Sequence, residues 1–255
     1  MLIDHLQGNY RFLRGIAPYS SGVAAMPGFE IIRAKMLRPL PLKMGLEKIV
    51  HFLNSIDRPS QAICAMELRI PAPLSFPGFM EFNQSYQAVL NRWGLLLDDM
   101  NPIARTNVAP AILQPAEPIL YAFSYTVPAI NQHTFPTFII AGAGDLVDQS
   151  DLSPTAIIRP GEDTVDALKE KASTVMQVMQ ERLDGLLLKW EDVTSLNVYT
   201  SYSIRSFLVD TIYSPIGEAV RHGVNWYFCN PPIQGLAFEM DARGVRQELC
   251  IDIQN

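Results

Sequence analysis

The sequence has little of what several functional classes require. Its three cysteines, Cys64, Cys229 and Cys250, stand far apart, which gives neither a disulfide framework nor the paired spacing of a zinc site. His5, His51, His133 and His222 share no metal-ligand spacing, so neither a metal nor a cofactor is expected. Gly142-Ala143-Gly144 follows a strand-like run but lacks the further glycine of a dinucleotide loop. The 20 basic residues are scattered and the net charge is −6, which opposes nucleic-acid binding, because phosphate recognition needs clustered cations. No apolar stretch reaches the roughly 20 residues that span a bilayer, and the start, MLIDHLQGNYRFLRG, lacks the apolar centre of a secretion signal. A cytoplasmic protein that binds neither nucleic acid nor membrane is the expectation.

What is present is an ordinary globular composition, 48% hydrophobic and 18% charged over 255 residues, long enough for one large domain or two of about 120 residues. The pattern reads as one unit used twice. In the first half, Tyr19 to Leu37 is strand-like and broken at Pro27-Gly28. Leu46, Ile49, Val50, Leu53 and Ile56 recur at helical spacing, and Asp57-Arg58-Pro59 stops them. Gln61 to Ile70 reads as a buried strand, and Pro71 to Pro77 as a loop. Phe79, Phe82, Tyr86, Val89 and Trp93 form the stripe of a second helix. Arg105–Leu113 and Ile119–Val127 flank a proline-rich turn and predict a hairpin.

The second half repeats this order. Thr137 to Gly144 is strand-like, and Asp163 is a candidate N-cap. A long helix follows, with its stripe at Val165, Leu168, Ala172, Val175, Met179, Leu183 and Leu186. Val193 to Tyr202 reads as a strand, Ser203 to Glu218 as a weaker helix, and Val224–Asn230 with Leu236–Ala242 as a closing hairpin. The expected organisation is a domain over 1–128, a linker over 129–136 and a second domain over 137–255. A sheet covered by helices on one face needs a partner for the other. A homo-oligomer is therefore expected.

Three short motifs carry a resemblance. Ala17-Pro18-Tyr19-Ser20-Ser21-Gly22-Val23, the set Phe79, Asn83 and Tyr86, and Ala104-Arg105-Thr106-Asn107-Val108 occur in the first half. In order and spacing they resemble the RidA/YjgF family of enamine and imine deaminases, once called L-PSP endoribonucleases. The second half resembles the same family in its long helix, in the run Val193 to Thr200, and in Phe238-Glu239-Met240-Asp241-Ala242. The resemblance implies an α+β fold of two tandem chorismate-mutase-like modules, each a mixed sheet with two helices on one face. It also implies a trimer with its sites in clefts. Residue by residue, it implies that Arg105 binds a substrate carboxylate, with Tyr19, Asn83 and Asn107 at site positions, and that Glu239 places the hydrolytic water. Asn107 departs from the family, which usually has cysteine there.

The pair is divided between the halves: the first keeps Arg105 without a glutamate, and the second keeps Glu239 without an arginine. A buried arginine in an apolar strand must pair with something, so Arg105 meets a ligand carboxylate or an interface acid, or else faces outward from the strand. Glu239 alternates with Phe238 and Met240, so it is a catalytic or water-positioning residue or a solvent-facing strand carboxylate. His222 beside Arg221 is a weaker acid/base candidate, and Cys229 reads as a small buried hydrophobe. Three functions follow as alternatives: a hydrolase deaminating a small carboxylate-bearing enamine or imine, a non-catalytic binder of 2-oxo acids, and a chorismatase-like enzyme.

Overall fold

The computed structural model describes residues 1–130 and 135–253. Of the join expected at 129–136, residues 131–134, His133 among them, lie outside the described residues.

The first half supplies β1 (Leu2–His5), β2 (Tyr10–Leu13), β3 (Gly22–Ala25), β4 (Phe29–Pro41), helix α1 (Leu42–Ser55), β5 (Ile63–Arg69), helix α2 (Phe76–Arg92), β6 (Ala104–Pro110) and β7 (Ile119–Pro128). The second supplies β8 (Phe138–Gly144), helix α3 (Val165–Gly185), β9 (Ser195–Tyr199), β10 (Asn225–Tyr227), β11 (Cys229–Asn230), β12 (Glu239–Gly244) and β13 (Gln247–Ile251). They form a six-stranded sheet, β11-β6-β5-β7-β4-β13, and a seven-stranded sheet, β1-β2-β3-β8-β12-β9-β10. Both are mixed: β5–β6, β9–β10 and β4–β13 run parallel and the other pairs antiparallel. The α+β class and the two mixed sheets agree with the sequence reading. The order β6-β5-β7-β4 in one sheet corresponds to β10-β9-β12-β8 in the other.

Neither expected hairpin forms. β5 lies between β6 and β7, with Met66 in register between Arg105 and Phe123. β9 likewise separates β10 from β12. The run Val224–Asn230 also divides, because β10 pairs with β9 while β11 crosses to pair with β6 in the other sheet. Alternation marks a strand but not its neighbour. Strands also pass between the halves: β1–β3 extend the sheet of the second half, and β13 extends that of the first.

The helices follow local chemistry. Ser75 Oγ accepts from Gly78 N at 3.2 Å, with Pro77 in the first turn of α2. The cap of α3 is Thr164, whose Oγ1 accepts from Ala167 N at 3.2 Å, one residue beyond the expected Asp163. The second helix expected over Ser203–Glu218 is irregular. It is a π-helical turn, Leu208–Tyr213, then one α-turn, Ser214–Ile216, then a 3-10 stretch, Gly217–His222. Pro215 brings no N–H to a helix, and Gly217 turns the chain at φ +54°.

Helices α1 and α2 cover the outer face of the six-stranded sheet through Leu46, Ile49, Leu53, Tyr86 and Leu90. Helix α3 and the irregular stretch cover the seven-stranded sheet through Val175, Met179, Leu183 and Ile212. The inner faces pack on each other. Tyr10, Phe12, Val23 and Ala141 of one sheet meet Ile31, Cys64, Ala65 and Ala104 of the other. The second face of each sheet is thus buried within one chain. A charged cluster continues this layer. Arg33 makes a two-point contact with Glu67, Nε–Oε1 at 2.5 Å and Nη2–Oε2 at 2.8 Å, and its Nη1 donates to Glu248 at 3.1 Å. Arg243 donates to the same Glu248 at 2.6 Å.

Burial alone would raise the Glu67 carboxyl, but Arg33 overrides it and holds the pKa at about 2. A depressed carboxylate stabilises the fold above its ordinary value of 4.5 and loses that contribution as pH falls toward about 2. Arg33→Met should cost roughly 3–5 kcal/mol in urea unfolding at pH 7, because it strands a buried charge, whereas adding Glu67→Leu should recover most of the loss. The single-variant deficit should shrink as pH is lowered through this window.

Candidate active site

The site lies where β6 of one sheet meets β8 of the other. Arg105 and Asn107 project from the same face of β6. Arg105 is buried, and its Nη2 donates to Asn83 Oδ1 on α2 at 2.6 Å. Its guanidinium carbon lies 4.8 Å from the Tyr19 and Tyr86 ring centres, 5.6 Å from Phe82 and 5.8 Å from Phe79. The cage fits a planar cation, whose charge is attracted to ring faces. No carboxylate is within ion-pair distance of Arg105 among the described residues. Its Nη1 has no hydrogen-bond partner, nor do Asn107 Oδ1 and Nδ2. A buried donor left unpaired costs several times what a satisfied one contributes. Three such atoms on one strand face mark a place built for something else to bind. Burial pushes the Arg105 pKa down, and Tyr86, Tyr19 and Glu239 oppose that shift.

Glu239 comes to the same cavity from the second sheet. It opens β12, in register with Gly144 and Tyr199, and its side chain leaves the face that carries Phe238 and Met240. A buried polar knot fixes the entry to this strand. Asp145 Oδ1 accepts from Ala237 N at 3.0 Å and Phe238 N at 3.1 Å, while its Oδ2 accepts from Lys171 Nζ at 2.8 Å. Glycine at 142 is what lets the carboxylate in, since a Cβ there would stand 2.2 Å from Glu239 Oε1. Burial pushes the Glu239 carboxyl well above the usual carboxylate range and Asp241 adds to this; Arg182, Arg105 and Arg69 pull the other way.

Tyr19, Arg105, Asn107, Gly142, Gln149 and Glu239 line one cavity of about 30 Å³, enough for ordered water. Its remaining wall is apolar, from Phe79, Leu146, Leu152, Ile233 and Leu236. The loop before α2 closes it, with Leu74 N donating to Pro232 O and Gln234 N to Leu74 O, each at 2.8 Å.

Four of the five residues expected from sequence therefore line the cavity. The fifth, Asn83, stands behind Arg105 and orients it. Arg105 and Glu239, divided between the halves, face one space within one chain. His222 is exposed on the 3-10 stretch away from this cavity, and Cys229 is buried in β11 with its thiol pushed up by burial. Among the described residues, no group of three or more His, Cys, Asp or Glu side chains could hold a metal.

Sequence reasoning missed Gly142, Gln149, the Asp145–Lys171 pair and Arg182. Lys171 and Arg182 carried a readable signal, because both fall on the apolar face of α3, four residues before Val175 and Leu186 respectively. Both are buried. A basic residue on such a face must reach a partner across the core.

A family model described as 2-aminomuconate deaminase CnbZ matches residues 2–249. A 2-amino-5-chloromuconate deaminase of Comamonas testosteroni is 39% identical over 244 residues, 96% of each chain. Among solved structures, a chorismatase covers 88% of this chain and 77% of its own, at TM-score 0.49 and 10% identity. An endoribonuclease-like protein of Thermotoga maritima covers 55% of this chain and 92% of its own, at TM-score 0.31 and 16% identity.

An acid whose pKa rises on folding costs nothing below its unfolded value. The cost grows as pH climbs from there toward the folded value. Glu239→Gln should accordingly leave the melting temperature unchanged near pH 4 and stabilise the protein by roughly 1–2 kcal/mol at pH 8. Calorimetry at the two pH values checks this, and a variant less stable than the parent at pH 8 would show that Glu239 is held as a paired carboxylate.

Proposed function

The chain belongs to the 2-aminomuconate deaminase CnbZ family, and from this we propose that it hydrolyses the amino-bearing carbon of a 2-aminomuconate-type enamine, releasing ammonia and leaving a 2-oxo acid. The observation that carries the reading is the meeting in one cavity of unpartnered Arg105 and Asn107 atoms with a carboxyl whose pKa burial raises.

Arg105 Nη1 donates to the substrate carboxylate next to the amino group, which matches guanidinium geometry. Asn107 completes the contact, its Nδ2 donating to the same carboxylate and its Oδ1 accepting from the amino N–H. The apolar wall takes the carbons next to the reacting centre. Glu239 then serves as acid and base in turn. The protonated carboxyl gives its proton to the enamine carbon, and a C=N iminium forms. The carboxylate so produced takes a proton from water as the water oxygen bonds to the iminium carbon. The carboxyl next protonates the amine of the resulting carbinolamine. When the C–N bond breaks, the hydroxyl proton returns to Glu239, the ketone forms and ammonia departs. Enamine and water are consumed, and Glu239 ends protonated as it began. A raised pKa suits this role, since an acid must hold its proton near neutral pH to deliver it.

We infer further that 1–128 and 137–255 are one module used twice, joined by 129–136. The corresponding strand orders support this.

Ammonia release from 2-aminomuconate tests the assignment. Glu239→Gln should lower kcat by about 10²–10⁴-fold, the range of a lost general acid/base. Gly142→Ala should act in the same direction by displacing that carboxyl. Arg105→Met should act mainly on KM. Wild-type protein that releases no ammonia from 2-aminomuconate would overturn the reading, as would a Glu239→Gln variant of undiminished kcat.

A further inference from the structure

A second cavity, of about 210 Å³, adjoins the first and is lined by Arg14, Gly15, Ile16, Tyr19, Ser21, Asp148, Gln149, Ser150 and Arg182. Tyr19 and Gln149 belong to both cavities and form the partition between them. The inner cavity, at about 30 Å³, is too small for the whole of a six-carbon chain. A substrate anchored on Arg105 has to continue past Tyr19 and Gln149 into the outer space.

The outer space carries positive charge without a counter-ion. Arg182 is 7% exposed and leaves α3 to donate through Nη1 to Ala141 O at 2.8 Å and Gly142 O at 3.2 Å. No carboxylate lies within ion-pair distance of Arg182 or Arg14 among the described residues. The one acid in the lining, Asp148, faces solvent, and its Oδ1 already accepts from Ser150 N at 2.8 Å and Ser150 Oγ at 2.7 Å. A guanidinium buried without an anion is costly, and two backbone carbonyls satisfy only part of its five-donor fork.

Resting on the deaminase reading above, the geometry points to the outer cavity as the seat of the substrate's second carboxylate, with Arg182 and Arg14 holding it and Tyr19 and Gln149 flanking the carbon chain between the two anions. The enzyme would then select linear dicarboxylates over monocarboxylates of the same length. Arg182 also ties the reaction to correct seating, because the carbonyl of Gly142 that it grips belongs to the residue on which Glu239 rests.

Binding of two unreactive probes tests this without turnover. Muconate carries both carboxylates, and hexa-2,4-dienoate carries one on the same chain. Calorimetric titration of wild-type protein should show muconate bound at least about tenfold more tightly, the scale of a hydrogen-bonded charged contact. Arg182→Gln should remove most of that difference and Arg182→Lys should restore part of it. Arg14→Gln, at an exposed position, should reduce it by about two- to fivefold. Affinity for hexa-2,4-dienoate should stay within about twofold in the Arg14 variant. Equal wild-type affinities for the two probes would overturn the proposal. So would variants that weaken both probes alike, or an Arg14→Gln that changes neither. If Arg182→Gln fails to fold, the Arg14 variant and the wild-type ratio still decide. Because no step of the test requires ammonia release, a protein that discriminates the probes yet deaminates nothing would sink the enzymatic reading and leave this one standing.

Discussion

The contact between β6 and β8 is the constraint on which the site depends. Each sheet has one face covered by helices, and burying the other face forces the two sheets together. The inner layer is mostly small or apolar, with Ala65, Ala104 and Ala141 allowing close approach, and the Arg33–Glu67–Glu248–Arg243 cluster continues it. Where β6 abuts β8, the chain brings an arginine from one half to face a glutamate from the other. Neither half has both groups, so neither could form the site alone. The strands exchanged at the sheet margins, β1–β3 in one direction and β13 in the other, bind the halves into a single arrangement.

Electrostatics inside that arrangement are asymmetric in a useful way. Glu67 has an arginine in two-point contact and is held ionised. Three arginines act on Glu239, yet burial and Asp241 prevail and push its pKa well above the usual carboxylate range. The difference lies in contact: the Arg33 donors sit on the Glu67 oxygens, whereas Arg105 and Arg182 are committed to Asn83 and to the β8 carbonyls. Two carboxyls in neighbouring layers are thus shifted in opposite directions by their surroundings alone. Deprotonated Glu239, unpartnered Arg105 and unpartnered Asn107 would all be destabilising in an empty site, and stability given up in this way is typical of binding residues.

The sequence made the elements legible but not their partners. Helical spacing located α1, α2 and α3, and strand-like runs located β5 to β9, because periodicity reports which face is buried. It does not report what lies across that face. Both expected hairpins were therefore wrong: a run such as Ile119–Val127 reads the same whether it pairs with its predecessor or with β5. The helix expected over 203–218 is instead irregular, and the disruption by Pro215 and Gly217 is a backbone effect that the side-chain pattern does not show. At the site, short motifs pointed to Arg105, Tyr19, Asn107 and Glu239. Gly142 stood out only in an incomplete dinucleotide-loop run, since its role is to leave room for a side chain nearly 100 positions away. Arg182 was hidden in a helix whose stripe was counted by its apolar members alone.

The central claim is that one chain completes one site from groups its two halves hold separately. Subunit complementation tests this most directly. Arg105→Met and Glu239→Gln chains would be co-expressed with different tags, co-purified where they associate, and assayed for ammonia release from 2-aminomuconate beside wild-type protein. A site formed within the chain predicts that the mixture stays as inactive as either variant, since every chain lacks one member of the pair. Recovery of a substantial fraction of wild-type activity would contradict the account, because it would require Arg105 of one chain to work with Glu239 of another.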